Sequence, residues 1–148
     1  MITLNEALER LLSSIKMLDD VERIPVLQAD GRVLAQDVVS ALHVPPHDNS
    51  AMDGYAVRFA DVPAVGTALP VSQRIAAGMV GTALQAGTAA RIFTGAPVPV
   101  GADAVVMQEE CTLLENGSVQ INALPQPNQN IRHAGEDVTR GAKVLLKG

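Results

Sequence analysis

The stretch VPPHDNSAMDGYAV, residues 44–57, decides how this sequence is interpreted. It places two prolines, two aspartates, an asparagine, a serine, a histidine and a glycine between apolar flanks typical of strands. A simple turn needs about two to four such residues. The surplus of polar groups indicates that this first polar segment does more than reverse the chain.

Two interpretations of this segment stay open on residue types alone. In the first, Asp48, Asn49 and Ser50 bond their own backbone in a turn or cap a helical turn. In the second, some of the polar groups face a ligand. Asp53, which directly precedes Gly54, is the carboxylate that we expect to point outward.

The composition favours β structure around this segment. Of the 148 residues, 47% are hydrophobic, but the chain has no Trp, one Tyr and two Phe, so the core must consist of Val, Leu, Ile and Ala. Short Val-rich runs separated by Gly and Pro are typical of strands. The predicted fold class is therefore mainly β with one N-terminal α-helix, an α+β protein.

Charge and cysteine content exclude several classes of function. A formal charge of −5 and few aromatic residues argue against nucleic-acid binding. Cys111 is the single cysteine, so it can form no internal disulfide, and a structural zinc site is not expected. The N-terminus lacks the basic region of a signal peptide, and no stretch has the apolar length of a membrane span. These features predict a soluble cytoplasmic protein that does not bind membranes.

The N-terminal residues predict one helix, over residues 4–18. Thr3 and Glu6 have the spacing of a capping box, and Lys16 would lie in the last turn. The apolar stripe along one side of this helix would pack either on its own domain or on a second chain. Apolar residues recur at helical spacing at Leu4, Leu8, Leu11, Ile15 and Leu18.

The rest of the chain predicts short strands and a hairpin. Asn116-Gly117 is typical of a type I′ hairpin turn, and the proline-spaced residues 124–130 predict a linker. The final KVLLKG predicts either a terminal strand or a truncated chain. The predicted strands are 24–27, 33–44, 55–59, 69–75, 89–93, 103–108, 111–115, 118–123, 130–132 and 143–146.

A second polar segment, RIFTGAPVPVGADAVV, covers residues 91–106. Gly95 permits a close backbone approach, and Pro97 and Pro99 stiffen the loop. With the Thr94 hydroxyl at its mouth, such a loop suits an oxyanion, although the same residues also make an ordinary rigid loop.

A third polar segment, NIRHAGEDVTRGAKV, covers residues 130–144 and alternates charges of opposite sign. It is either a surface turn with weak ion pairs or the edge of a mixed-charge pocket. His133 has no ligand-spaced neighbour and is no metal site alone. The sequence contains no phosphate-binding loop, dinucleotide fingerprint, zinc-protease motif or nucleophile elbow.

Together the three segments resemble the N-terminal region of the MoeA family, the molybdopterin molybdenumtransferases, to which the gephyrin E domain is also similar. The resemblance rests on DNSAMDGYA, TGAPVPVGADAVVM and NIRHAGEDVTRGAKVLLKG and covers the whole chain. It implies an inserted β subdomain at residues 46–133 on a partial elongated dimerisation subdomain formed by residues 1–45 and 134–148. The family's molybdopterin-binding and C-terminal subdomains would be absent.

The resemblance also implies an activity for the complete protein. It would insert molybdenum from molybdate into adenylylated molybdopterin and release AMP, whereas this fragment alone would be inactive. The implied partners are a second copy of the chain, which completes the cleft, and the molybdopterin adenylyltransferase.

The resemblance places several residues at that cleft. Asp53, Thr94 and Asp137 match catalytic positions, and Asp53 and Asp137 would hold Mg²⁺, the expected cofactor, between carboxylate and phosphate oxygens. The remaining residues expected to bind substrate are Asp48, Asn49, Ser50, Gly95 and Arg132.

Three functions stay open at this stage. The chain is the N-terminal part of the enzyme, a dimerisation scaffold without chemistry of its own, or a domain that binds Mg²⁺ or an oxyanion by itself.

Overall fold

The computed structural model describes residues 2–16 and 20–148, which contain one α-helix and ten β-strands. The predicted fold class, mainly β with one N-terminal helix, is therefore confirmed. Two compact units are present: the described residues up to Asp37 with Leu146–Gly148, and Val38–Leu145. The elements are α1 (Leu4–Ser13), β1 (Val38–Val39), β2 (Asn49–Ser50), β3 (Gly54–Val57), β4 (Thr67–Ile75), β5 (Ala89–Ile92), β6 (Ala104–Met107), β7 (Cys111–Leu113), β8 (Ser118–Ile121), β9 (Ile131–Arg132) and β10 (Lys143–Leu145).

Helix α1 begins with the predicted capping box. The Thr3 hydroxyl accepts from the Glu6 amide at 3.3 Å, and the Glu6 carboxylate accepts from the Thr3 amide at 2.7 Å. The predicted helix over residues 4–18 is too long, because α1 ends at Ser13 and Lys16 lies beyond it. The hydroxyls of Ser13 and Ser14 donate to carbonyls of the last turn, which competes with continued helix. Leu18 lies outside the described residues.

A six-stranded sheet forms the centre of the larger unit, in the order β6-β3-β5-β4-β8-β7. The pair β4–β5 is parallel, and the other neighbouring strands are antiparallel. Strand β3 lies between β5 and β6, and all four of its residues are buried. Gly54 is required there, because a Cβ at this position would overlap the carbonyl oxygen of Val106.

The small aliphatic residues predicted for the core pack on both faces of this sheet. Alternate residues of β3 and β5 point to opposite faces, as the strand pleat requires. One cluster contains Tyr55, Val57, Ala89, Val106, Val119 and Ile121. The other contains Ala56, Ile75, Leu84, Ala90, Ile92, Ala96 and Val105.

Two predicted strands are wrong or too long. Residues 24–27 form no strand; Val26–Gln28 is a short 3-10 turn instead, closed by a hydrogen bond from the Ala29 amide to the Val26 carbonyl. Of residues 33–44, Val38–Val39 alone is assigned as a strand, paired with β10. The other predicted strands agree with β3–β10 to within a few residues, and β2 was not predicted.

The hairpin at Asn116-Gly117 joins β7 and β8 as predicted, but its turn type differs. Gly117 has a φ of 81°, whereas Asn116 does not have a positive φ. The Gly117 amide donates to the Leu114 carbonyl at 3.0 Å, and the Asn116 side chain accepts from the Ser118 amide at 3.0 Å. These bonds indicate a type I turn followed by a left-handed glycine, so the predicted type I′ turn is wrong.

The C-terminal strand β10 pairs antiparallel with β1 in the larger unit. The predicted subdomain ranges, 1–45 with 134–148 and 46–133, stay a prediction. In the part of the chain that the structure describes, we find no helix with the length and apolarity to span a membrane.

Candidate functional site

Strand β2 joins the first polar segment to the third. Asn49 pairs with Arg132 and Ser50 with Ile131, antiparallel. The Ala51 amide extends this pairing with a 2.8 Å bond to the Asn130 carbonyl. The first segment therefore runs alongside the third, although 80 residues separate their matched positions in the sequence.

The opposite edge of β2 contacts the second polar segment. The Ser50 amide donates to the Ala96 carbonyl at 2.9 Å, and the Gly95 amide donates back to the Ser50 carbonyl at 2.8 Å. The Val98 amide donates to the Asp48 carbonyl at 2.8 Å. All three polar segments thus form one hydrogen-bonded surface, with the first segment in the middle.

Asp53 is held at one end of this surface by Thr94. Its Oδ1 accepts from the Thr94 amide at 2.8 Å and from the Thr94 hydroxyl at 2.6 Å. The Asp53 carbonyl accepts from the Gln108 amide at 3.0 Å, which fixes the backbone too. The carboxylate is half-buried, and its contacts come from distant residues rather than from its own turn.

The same contacts keep Asp53 ionised. The hydrogen bond from the Thr94 hydroxyl, followed by the one from the Thr94 amide, lowers the pKa of Asp53. Hydrogen bonds to the charged form of a carboxyl stabilise that form. A fixed negative charge therefore stands at this end of the surface at neutral pH.

Asp48 is held at the other end of the first segment by the third. Its carboxylate accepts from the Ala134 amide at 2.8 Å and lies 3.2 Å from the His133 ring nitrogen Nδ1. The bond from the Ala134 amide is the main reason that the pKa of Asp48 is lowered. Asp48 thus ties two segments together instead of capping its own turn.

The third segment contains an exposed ion-pair network. The Arg132 guanidinium lies 2.5 Å from Asp137 Oδ1 and 3.4 Å from Glu136 Oε1. The hydrogen bond to Asp137 raises the pKa of Arg132 further above its ordinary value. The Asp137 amide donates to the Val44 carbonyl at 2.9 Å, so the backbone that carries this network is anchored to the first segment.

The other predicted binding residues have mixed roles. The buried Ser50 donates its hydroxyl to the Met52 carbonyl at 2.6 Å, so it does make the local turn that the first interpretation describes. Gly95 has a φ of 80° and contributes its backbone. The Asn49 Oδ1 is buried and accepts no hydrogen bond from a described residue, which leaves an acceptor unused at the centre of the surface.

The carboxylates of the three segments fit Mg²⁺ unequally. Among the described residues, no group of three His, Cys, Asp or Glu side chains could hold a metal ion. Asp137 is already paired with Arg132. Mg²⁺ in phosphate sites commonly binds through one or two carboxylates plus substrate oxygens and water. Asp53, whose Oδ2 accepts no bond from a described residue, suits that role best.

The sequence did not lead us to predict a role for Arg91, which is the first residue of the second polar segment. The Arg91 guanidinium donates to the Gly54 carbonyl at 3.1 Å and to the Gln108 side chain at 2.6 Å. Arg91 therefore holds both Gly54, the residue after Asp53, and Gln108, whose amide bonds the Asp53 carbonyl. The available signal was a charged residue within the otherwise apolar strand at residues 89–93, because such a residue needs polar partners.

Comparisons with known proteins identify relatives of this chain. The chain is 41% identical over 148 residues to the molybdopterin molybdenumtransferase of Haemophilus influenzae, and 48% identical over 130 residues to molybdopterin molybdenumtransferase 2 of Mycobacterium tuberculosis. These matches cover 100% and 84% of this chain but 37% and 32% of the relatives, so the chain spans about a third of their length.

A solved structure shows the same fold. The crystal structure of a molybdopterin biosynthesis MoeA protein from Pyrococcus horikoshii OT3 superimposes with a TM-score of 0.88 at 39% identity, covering 97% of this chain and 39% of that one. The family model "MoeA N-terminal region (domain I and II)" matches residues 2–148. The chain therefore belongs to the MoeA family and represents its N-terminal region.

Proposed function

We propose that this chain is the N-terminal region of an enzyme of molybdenum cofactor biosynthesis. The complete protein transfers molybdenum from molybdate to adenylylated molybdopterin and releases AMP. The observation that carries the proposal is the single surface that the three family-like segments form around β2. The names of the relatives, molybdopterin molybdenumtransferases, support the same reaction.

In this proposal Asp53 is the residue closest to the chemistry. It stays ionised because Thr94 donates two hydrogen bonds to Oδ1, and its Oδ2 is left to face the ligand. A bare carboxylate would repel the anionic substrate. Bound Mg²⁺ would supply the positive charge that lets carboxylate and phosphate oxygens approach each other.

Thr94 acts through Asp53. Its hydroxyl hydrogen is directed at Asp53 Oδ1, so the oxygen is left to accept a hydrogen bond, for example from a water molecule. Thr94 is therefore a positioning residue that fixes the orientation of the carboxylate, and the Gly95 backbone holds the loop beside β2.

The third segment supplies an orienting charge. Arg132 carries the cation that suits an anionic substrate, and Asp137 with Glu136 fixes its guanidinium. In this geometry Asp137 orients Arg132, and a direct contact of Asp137 with Mg²⁺ requires that this pair opens. Asp48 holds the His133–Ala134 turn against the first segment, and Asn49 offers its unused acceptor to a donor on the ligand.

We also propose that the complete protein is a homodimer. Helix α1 buries none of its side chains among the described residues. Its apolar stripe is largely exposed, with relative exposures of 84% at Leu4, 52% at Leu8 and 66% at Leu11. A second copy that covers this stripe accounts for a helix whose leucines are left largely exposed by the described residues.

The same exposed stripe favours a second candidate, a dimerisation scaffold with no chemistry. The two candidates differ in what Asp53 does, because a scaffold does not need this carboxylate. A domain that binds Mg²⁺ or an oxyanion alone is the third candidate, and calorimetry on this chain tests it directly.

The decisive experiment compares this chain with a complete protein that contains it. Both receive adenylylated molybdopterin, molybdate and Mg²⁺, and AMP release is measured. We expect molybdate-dependent release by the complete protein and none by the 148-residue chain. Absence of release by the complete protein contradicts the proposed reaction, and equal release by both contradicts a cleft that requires the further subdomains.

A further inference from the structure

Two arginines lie side by side on one face of the central sheet, outside the polar surface described above. In the parallel pair β4–β5, Arg74 is the direct partner of Arg91. Like charges at paired positions of a sheet destabilise it. A fold that places them together therefore needs something that offsets their repulsion.

A bulge in β4 creates this pairing. Val71 is matched with Ala89, but Gln73 is matched with Ala90, so Ser72 is an extra residue in β4. Without the extra residue, the pleat would turn Arg74 to the opposite face from Arg91. Bulges re-aim side chains in this way and are frequent beside functional sites.

An aromatic ring fixes both guanidinium groups. The Arg74 guanidinium carbon lies 4.5 Å from the centre of the Phe93 ring, and that of Arg91 lies 4.6 Å from it. Arg91 also lies 5.2 Å from the centre of the Tyr55 ring. Stacking on aromatic rings restrains the two cations without placing a negatively charged group between them.

Neither arginine forms an ion pair with an acidic residue among residues 2–16 and 20–148, although the Arg91 charge helps to lower the pKa of Asp53. Arg91 bonds two neutral acceptors, the Gly54 carbonyl and the Gln108 side chain. Arg74 is exposed and forms no ion pair or hydrogen bond with a described residue.

The two arginines line a cleft of about 470 Å³, together with Tyr55, Ser72, Gln73 and Leu113. We propose that this cleft binds a phosphoryl group, with its oxygens accepting hydrogen bonds from both guanidinium groups. Planar guanidinium forks match phosphate oxygens, and an anion between them removes the repulsion of the paired charges.

The cleft adjoins the Asp53–Thr94 pair through the backbone. Phe93 directly precedes Thr94, and Arg91 bonds the carbonyl of Gly54, which follows Asp53. If the phosphoryl group belongs to the substrate that reacts at Asp53, it is part of a nucleotide joined through a diphosphate. That identification rests on the proposed function. The binding of phosphoryl oxygens by Arg74 and Arg91 does not.

The test is a titration of the full 148-residue chain with inorganic pyrophosphate, AMP, adenosine and molybdate in separate arms. NMR signals of the arginine Nε–H groups report the contact directly, and calorimetry gives the Kd. We expect pyrophosphate and AMP to shift the signals of Arg74 and Arg91, adenosine to shift neither, and higher ionic strength to weaken binding.

The variant Arg74→Gln removes one guanidinium group from an exposed position, so the fold should persist. We expect it to raise the Kd for pyrophosphate about tenfold. Arg58→Gln is the matched control, since it removes the same charge elsewhere in the same unit, where Arg58 makes a 3.8 Å ion pair with Asp61. The control should bind pyrophosphate as the unchanged chain does.

The outcomes separate this inference from the proposed function. Equal pyrophosphate affinity in Arg74→Gln and the unchanged chain overturns the inference, as does binding of molybdate but not of pyrophosphate. If a complete protein releases no AMP while this chain binds pyrophosphate through Arg74, the proposed function alone fails. If AMP is released normally but pyrophosphate binding does not depend on Arg74, the inference alone fails.

Discussion

Replacement of Gly54 by alanine should strongly destabilise the larger unit. Gly54 pairs with Ile92 on one side and Met107 on the other, so β3 cannot move without disturbing a neighbour. An added Cβ would overlap the Val106 carbonyl oxygen, a backbone atom that no rotamer change can remove. Asp53, which directly precedes Gly54, would be displaced together with this end of β3.

The magnitude follows from two contributions. Overpacking in a tightly packed interior costs about 1–3 kcal/mol. Separation of the strand end from β6 removes about two backbone hydrogen bonds at about 1 kcal/mol each. We therefore expect a loss of about 3–5 kcal/mol, which lowers the urea midpoint by about 2–3 M for a slope of about 1.5 kcal/mol/M.

The assay is urea unfolding of the chain followed by circular dichroism, with Gly81→Ala as the control. A Cβ at Gly81 would meet side-chain atoms of Ile75 and Gln73 instead of backbone, and side chains shift more easily than a paired strand, so its cost should be smaller. A midpoint for Gly54→Ala within about 0.5 M of the unchanged chain would refute the claim that the Val106 carbonyl requires glycine at this position.

Three further predictions concern titration, cysteine and the helix cap. Asp48 and Asp53 have pKa values lowered from 3.8, so they stabilise the fold above that pH and lose this contribution as the pH falls through the lowered values. The urea midpoint should decrease when the pH is lowered below about 4. This decrease should be less steep in the variant Asp48→Asn. Burial, with the nearby Glu110 charge, raises the pKa of Cys111 to about 11, so at pH 8 it should react with a disulfide reagent at least about a hundredfold more slowly than free cysteine. Rapid reaction in the folded chain would contradict this. Thr3→Ala removes the N-cap of α1, costs the helix about 1 kcal/mol and should reduce the ellipticity at 222 nm, whereas an unchanged spectrum would argue against the cap.

The sheet was predictable where burial determines the residue type. Strand β6 is a short apolar run because both of its faces are covered. Strand β2 gave no such signal, since Asn49 and Ser50 are polar residues paired through their backbone. Residues 24–27 gave a false signal, because exposed Val26 and Leu27 resemble a strand without having a partner.

The candidate site was predictable as a set of segments but not as a geometry. The three polar segments were recognisable individually, but their assembly depends on the pairing of Asn49 with Arg132, a contact between residues far apart in the sequence. The pairing of Asp53 with Thr94 likewise joins residues 41 positions apart. Arg74 was missed because a one-residue bulge decides which face it occupies, and alternation alone assigns it to the other face.

The central claim is that Asp53 contributes to the reaction far more than to the fold. It is tested most directly by Asp53→Asn in a complete protein that contains this region, with AMP release and the unfolding midpoint measured side by side. The amide keeps the size of the side chain and still accepts from Thr94, but it removes the negative charge.

The account predicts that AMP release falls about a hundredfold, as it does when an electrostatic contact at a reacting centre is lost, while the midpoint changes little. The contrary result is a midpoint that falls in proportion to activity, or AMP release that persists at the normal rate. Either would show that the Asp53–Thr94 pair closes a loop and takes no part in the chemistry.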